Sequence, residues 1–266
     1  MTDNPLTEGP ASRGAALVTG GARRIGRAIA LRLAGAGFDV AIHHRGPVEE
    51  LDALSLLSDI RGLVSEITAL GRRAAVVHAD LTDEDQVRAL VPAAVEALGP
   101  LTVLVNNASV FEDDRVGGLS RETWDRHIET NLRAPIVLAE AFAAQAPEGS
   151  AIVNLLDQRV LKPDPRFFSY ALSRNGLWWA TRTLAQALAP RIRVNGVGPG
   201  PTLPSIHQTP ADFAAEAAAV PLARAGSPEA VADAVLWLVD ADLVTGQMIA
   251  VDGGQHLAWQ TPDIEA

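Results

Sequence analysis

Seven short apolar or β-branched runs, at residues 16–19, 39–43, 74–78, 102–106, 151–156, 192–197 and 248–251, alternate with longer amphipathic segments rich in Ala, Leu and Arg. Helical periodicity marks 25–36, 84–98, 121–145, 170–188 and 228–238. A strand that passes through a helix before the next strand needs a crossover connection. Such connections make neighbouring strands parallel and lay helices on both faces of the sheet. Runs such as Thr102-Val103-Leu104-Val105 are apolar almost throughout, as strands covered on both sides require. No repeat, low-complexity stretch or linker divides the 266 residues. The pattern predicts one α/β domain over 14–266, with a mostly parallel seven-stranded sheet, preceded by a flexible polar tail over 1–13.

Two connections break the rhythm. Residues 46–71 exceed a minimal crossover and leave room for an extra helical turn. Residues 198–227 are rich in Pro, Gly and Ala and follow the sixth strand on the carboxyl side of the sheet, the edge at which open α/β sheets bind ligands. They read as a mobile segment covering a substrate, against the plainer alternative of a surface insertion.

Composition removes several functions. The absence of Cys excludes disulfides and thiolate metal sites. A net charge of −10 argues against general nucleic-acid binding, though it leaves room for a local basic pocket. No apolar stretch approaches the roughly 18 residues of a membrane span. The first 13 residues lack the basic start and apolar run of a signal peptide, so the cytoplasm is the expected compartment.

The segment Val18-Thr19-Gly20-Gly21-Ala22-Arg23-Arg24-Ile25-Gly26 ends the first strand and opens the first helix. Glycine is needed where backbone passes close to a pyrophosphate, and a helix N-terminus offers free N–H groups to it. An NAD site wants a carboxylate about twenty residues further on, an NADP site a cation. The second strand ends His43-His44-Arg45-Gly46, without an acid. Arg45, with Arg23 and Arg24 converging beside it, favours the extra phosphate and thus NADPH.

Further residues carry a resemblance. Asp80-Leu81 follows the third strand, Asn106-Asn107-Ala108-Ser109 the fourth, and Asn131 sits in a helix. Tyr170 is followed four residues later by Arg174, Pro199-Gly200 follows the sixth strand, and Asp252-Gly253-Gly254 the last. From about residue 14 to 257 the chain resembles the short-chain dehydrogenase/reductase family, which implies a Rossmann-type doubly wound fold. The resemblance further implies Asp80 and Leu81 at the adenine, Asn107 with Ala108 and Ser109 on the ribose side, and Pro199-Gly200 at the nicotinamide. It also implies a homotetramer or homodimer, with Trp178-Trp179 on a helix that meets another subunit.

Within that family the chain is most similar to pteridine reductases and bacterial dihydropteridine reductases. Arg24 replaces the middle glycine of the cofactor turn, Ser109 and Phe111 follow the Asn-Asn-Ala, and Asp157 stands thirteen residues before Tyr170 in place of the usual serine. His44-Arg45 matches the 2′-phosphate segment of those enzymes. The resemblance implies that Phe111 sandwiches a pterin against the nicotinamide, and that Asn131 bends its helix and anchors a water in the proton path.

Chemistry supports that substrate class independently. A ketone reductase needs a hydroxyl that donates to the developing alkoxide, and a carboxylate cannot donate. A ring bearing N–H groups suits a carboxylate acceptor, and reduction of C=N also needs a proton at nitrogen. Tyr170 is the expected acid, with Asp157 tuning or relaying the proton. Phe167 is a further candidate for the pocket wall. Arg174 stands where Lys is usual; it keeps the charge and cannot lose a proton, which predicts retained NADPH binding with slowed turnover. Two other readings stay open: a general carbonyl reductase, and an NADPH-binding pseudoenzyme or sensor.

Overall fold

Each of the seven apolar runs is a strand: β1 (Ala15–Val18), β2 (Asp39–His44), β3 (Ala74–His78), β4 (Leu101–Asn106), β5 (Ser150–Leu155), β6 (Ile192–Pro199) and β7 (Met248–Val251). The computed structural model describes residues 12–46, 50–205 and 208–259. All strand pairs are parallel, in the order β3-β2-β1-β4-β5-β6-β7. The expected mostly parallel sheet is therefore wholly parallel. β1, β4 and β5 are buried at nearly every position, as crossover helices on both faces dictate.

One face is covered by α1 (Arg24–Gly35), α2 (Glu50–Ala69) and α8 (Pro228–Asp240), through Ile29, Leu33, Leu63, Ile67 and Val235. The other carries α3 (Glu84–Leu98), α5 (Ala134–Gln145) and α6 (Phe168–Leu188), with Leu90, Leu138 and Phe142 in its core. Local signals set the helix starts. The side chain of Asp83 accepts from the N–H groups of Asp85 and Gln86 to open α3, and Ser227 accepts from Ala230 N ahead of Pro228 to open α8.

Several boundaries differ from the sequence reading. The 46–71 connection is not an irregular stretch: its apolar residues recur at helical spacing, and α2 uses Leu56, Ile60, Leu63 and Ile67 to cover the sheet. The 121–145 helix is interrupted, with α4 (Arg121–Ile128) passing through a π-turn (Glu129–Arg133) into α5. Asn131 lies inside that π-turn. Residues 198–227 hold a helix, α7 (Pro210–Ala219), started by a Thr209–Asp212 capping box. Residues 1–11 of the expected tail lie outside the described residues. Arg13 is not part of a tail: its N–H donates to Gly37 O, and its guanidinium pairs with Asp240 at 2.5 Å. Among the described residues, no helix is long and apolar enough to cross a membrane.

Candidate active site

The strand order reverses between β1 and β4, and the chains leaving their carboxyl ends diverge there to open a cleft. The cleft has a volume of about 1000 Å³. Its floor is tied by Thr19, whose N–H donates to Val105 O and whose Oγ1 accepts from Asn107 N at 2.9 Å and Ala108 N at 3.0 Å. Asn107 returns the contact, its amide donating to Thr19 O and Gly20 O. A side chain at Gly26 would place its Cβ 2.1 Å from Gly20 O, so only glycine permits this turn. Arg24 takes the left-handed region (φ 54°), where glycine is favoured, and its Nη2 reaches across to Pro204 O at 2.9 Å.

His43 completes the turn. Its Nδ1 accepts from Gly20 N at 3.0 Å while Nε2 meets Ala79 O at 3.0 Å, which defines a neutral ring. Burial lowers its pKa to about 4. Unlike α3, α7 and α8, α1 starts with no side-chain cap and no acid in its first turn, which leaves its N–H groups for an anion.

The cations at this edge do not converge as expected. Arg23 donates to Asp52, Asp59 and Ser55 of α2, which use its Nε, Nη1 and Nη2 and offset its charge. Arg24 turns to the 199–205 segment. Arg45 is exposed at the end of β2, and among the described residues its guanidinium has no bonded partner. Beside it, His44 accepts from Gly46 N and stands edge-on to His78 with ring centroids 5.4 Å apart. The glycine cradle, the uncapped α1 and the free Arg45 suit a dinucleotide with a 2′-phosphate. Asp80 accepts from Thr82, and the Leu81 side chain lies in the core rather than at the cleft, because α3 packs over it.

On the opposite wall, the Tyr170 hydroxyl donates to Asp157 Oδ2 at 2.8 Å. Asp157 also accepts from Arg159 N at 2.8 Å, so it caps the short turn Gln158–Val160 and faces the phenol at once. Burial first, and then the Asp157 charge, push the Tyr170 hydroxyl above its ordinary range; Arg174 opposes them. Arg174 is buried, its Nη1 donates to Leu155 O at 2.9 Å, and its guanidinium lies 5.3 Å from the Tyr170 ring centre.

Two aromatic rings complete this wall. Phe111 and Phe167 stack with centroids 4.5 Å apart, and Phe111 meets Tyr170 edge-on at 4.8 Å. Phe167 is the left-handed residue (φ 55°) that starts α6. Both rings line the cleft, with the Arg159 guanidinium over them. Asn131 is fully buried; its Oδ1 accepts from Val110 N, and its Nδ2 donates to Val110 O and Ser173 Oγ. Both amide hydrogens are thereby spent on protein partners, and Asn131 positions the segment that carries Phe111.

The sequence profile of a family described as enoyl-(acyl carrier protein) reductase matches residues 20–256. The 3-oxoacyl-[acyl-carrier-protein] reductase FabG of Staphylococcus aureus is 33% identical over 249 residues, covering 91% of this chain and 98% of that protein. The chain belongs to the short-chain dehydrogenase/reductase family. Among solved structures, FolM alternative dihydrofolate reductase 1 from Brucella canis, complexed with NADP, is 48% identical over 96% of this chain and 98% of that one, with a TM-score of 0.88. The Brucella suis protein, also with NADP, is 49% identical over 96% and 100%, with a TM-score of 0.87. A blue fluorescent protein from a metagenomic library, with NADPH, is 36% identical over 92% and 98%, at a TM-score of 0.83.

In this short-chain dehydrogenase/reductase, Ile25, Ser109, Pro199 and Gly200 also line the cleft. A Cβ on Gly200 would stand 2.7 Å from Asp252, so the glycine lets the last strand's turn pack beneath the cleft. Sequence reasoning missed three features. Arg159 braces Asp157, and its position two residues on was the available signal. His43 holds the glycine turn. A buried chain runs from His127 Nδ1 to Ser169 Oγ at 2.7 Å and on to Asp114, while Glu112 N donates to His127 Nε2. It ties the Phe111 segment to the start of α6, and no local pattern announces it.

Proposed function

We propose that this oxidoreductase uses NADPH to reduce a pterin-type heteroaromatic ring. The observation that carries the reading is the 2.8 Å bond from the Tyr170 hydroxyl to the Asp157 carboxylate, in the place where a ketone reductase needs a second hydroxyl donor. NADPH, when bound, supplies the hydride; the glycine turn 20–26, Asn107 and Arg45 are the residues that hold it. NADP or NADPH in the FolM and blue fluorescent protein structures supports this cofactor.

The protein's own part is to orient the ring and to move one proton. Phe111 and Phe167 offer a flat apolar wall to a planar substrate. The Asp157 carboxylate accepts from a ring N–H or amino group. Burial and the neighbouring carboxylate keep the Tyr170 proton on the phenol at neutral pH, ready for the nitrogen of a C=N bond as carbon receives hydride. Asp157 stays within reach of the phenolic oxygen and relays the replacement proton. The name of the FolM proteins supports a ring of the dihydrofolate type.

The FabG resemblance favours a second reading, reduction of an acyl-chain ketone. A carboxylate at 157 opposes it, because it repels the forming alkoxide. The third, a sensor without turnover, draws on Arg174. Following NADPH absorbance with dihydrobiopterin, dihydrofolate and a panel of ketones separates them. Reduction of ketones alone removes the pterin reading, and NADPH binding without oxidation favours the sensor. The exposed apolar stripe of α6, with Leu172 and Trp179 at 45% and 67% exposure, supports a homodimer or homotetramer.

A further inference from the structure

Gln158 is a buried carboxamide whose side chain no described residue hydrogen-bonds. The residue is 5% exposed, follows Asp157 directly and lines the cleft. Its backbone carbonyl is used, accepting from Leu161 N and Lys162 N. Its side chain is not: Oε1 is shielded from solvent without a hydrogen bond, and Nε2 has no partner among the described residues. Buried amides are nearly always bonded, since an unanswered one forfeits its hydration. Leu or Met fills similar volume without that loss, so the packing does not explain the choice of Gln.

The neighbouring polar groups contrast with it. Asp157 accepts from Tyr170 and Arg159. Glu216 on the far rim accepts from Gln208 and Gln255, and the amides of Asn107 and Asn131 are bonded. The unpaired Nε atoms of Arg159 and Arg174 belong to guanidinium groups whose Nη1 is engaged.

We propose that Gln158 recognises a ligand edge in which an N–H donor lies beside a carbonyl acceptor. A carboxamide is complementary to such an edge: Nε2 donates to the carbonyl while Oε1 accepts from the N–H, in one plane. A half-turn of the terminal amide exchanges its two ends without moving a carbon, so either end can face the ligand. Two molecules in the proposed reaction carry this edge, the carboxamide of the nicotinamide and the lactam of a pterin ring. Gln158 stands next to the residue that faces the reacting centre, within the wall both would share. Only the lactam alternative rests on the pterin reading.

The test uses purified full-length protein and the Gln158→Leu variant, with Gln158→Met as the second variant should the first not fold. Calorimetry measures NADPH, its 3-acetylpyridine analogue (an acetyl group in place of the carboxamide), and dihydrobiopterin added to the NADP complex. Loss of about tenfold in NADPH affinity with a clearly smaller loss for the analogue, which keeps the carbonyl and lacks only the N–H, assigns the nicotinamide. A similar loss for dihydrobiopterin with NADPH unchanged assigns the lactam. Binding of all three within twofold of the parent overturns the proposal. So does an equal loss on all three, analogue included, which marks a damaged cleft. Failure of the parent to bind or reduce dihydropterins removes the pterin reading alone, and the nicotinamide arm still decides this one.

Discussion

The Tyr170 hydroxyl and the Asp157 carboxylate meet at 2.8 Å, joined across the cleft wall from the start of α6 and the end of β5. One transferable proton lies between two oxygens. Arg159 holds the carboxylate from behind through its N–H at 2.8 Å.

Asp157→Asn keeps the shape of this pair and removes the acceptor charge. Turnover of dihydropterin is expected to fall by about a hundredfold or more, with NADPH affinity unchanged. Asp157→Ser restores a hydroxyl donor and is expected to gain ketone reduction. Steady-state kinetics on both substrate classes checks this; an Asn variant as active as the parent removes Asp157 from the proton path.

Arg174 holds its charge beside the Tyr170 ring and anchors it to Leu155 O. Arg174→Lys introduces an ammonium that is able to exchange a proton, and is expected to raise kcat on dihydropterins by about tenfold. A Lys form no faster than the parent shows that Arg174 is not limiting.

Arg45 is the cation at the end of β2 that is without a partner among the described residues once Arg23 has paired with α2. Arg45→Ala is expected to weaken NADPH by about ten- to a hundredfold and leave NADH unaltered. Fluorescence titration with both cofactors measures the change in preference. An equal effect on the two refutes the phosphate assignment.

His43 links pH to the glycine turn. Its pKa is about 4 in the folded protein, held down by burial, against about 6.5 for an exposed ring. The unfolded chain therefore binds the proton more readily. The stability this neutral ring contributes is complete above about pH 6.5 and is lost as pH falls towards 4, at up to about 1.4 kcal/mol per pH unit. His43→Asn is expected to lower Tm at pH 7 and to flatten its acid slope. Thermal melts from pH 7 to 4.5 read both, and an unchanged slope excludes His43 as the titrating group.

Ser169 is the middle of the buried His127–Ser169–Asp114 chain. Ser169→Ala strands the His127 N–H and leaves Asp114 Oδ2 only the longer 3.3 Å bond from the backbone N–H of residue 169, and is expected to cost about 1–3 kcal/mol in urea unfolding. It is also expected to raise KM for the ring more than it lowers kcat, since the chain positions Phe111 rather than the proton. A loss confined to kcat contradicts that role.

Much of the architecture was legible in short-range pattern. The period of the apolar residues marks all seven strands and most helices, because burial on a sheet or helix face is a local repeat. The 46–71 connection was misread because α2 exposes Leu54 and Leu57 beside its buried positions, which blurs its apolar stripe. The resemblance to short-chain dehydrogenases/reductases, in which a serine stands thirteen residues before the tyrosine, pointed to Asp157 and Tyr170 as a pair. Arg23 shows the limit: next to Arg24 and near Arg45 in the expected fold, it looked like a phosphate ligand, yet two carboxylates of α2 claim it.

By itself the sequence determined the strand–helix alternation, the glycines of the cofactor turn and the replacement of a donor by a carboxylate at 157. These depend on residue type and spacing, which act over a few turns of chain. Tertiary structure alone decided which partner each polar or aromatic side chain takes. Phe111 stacks on Phe167, His43 bonds Gly20, and the Gln158 carboxamide is buried at the cleft wall without a partner among the described residues, because packing brings together residues that are distant in the chain and several of which compete for each contact.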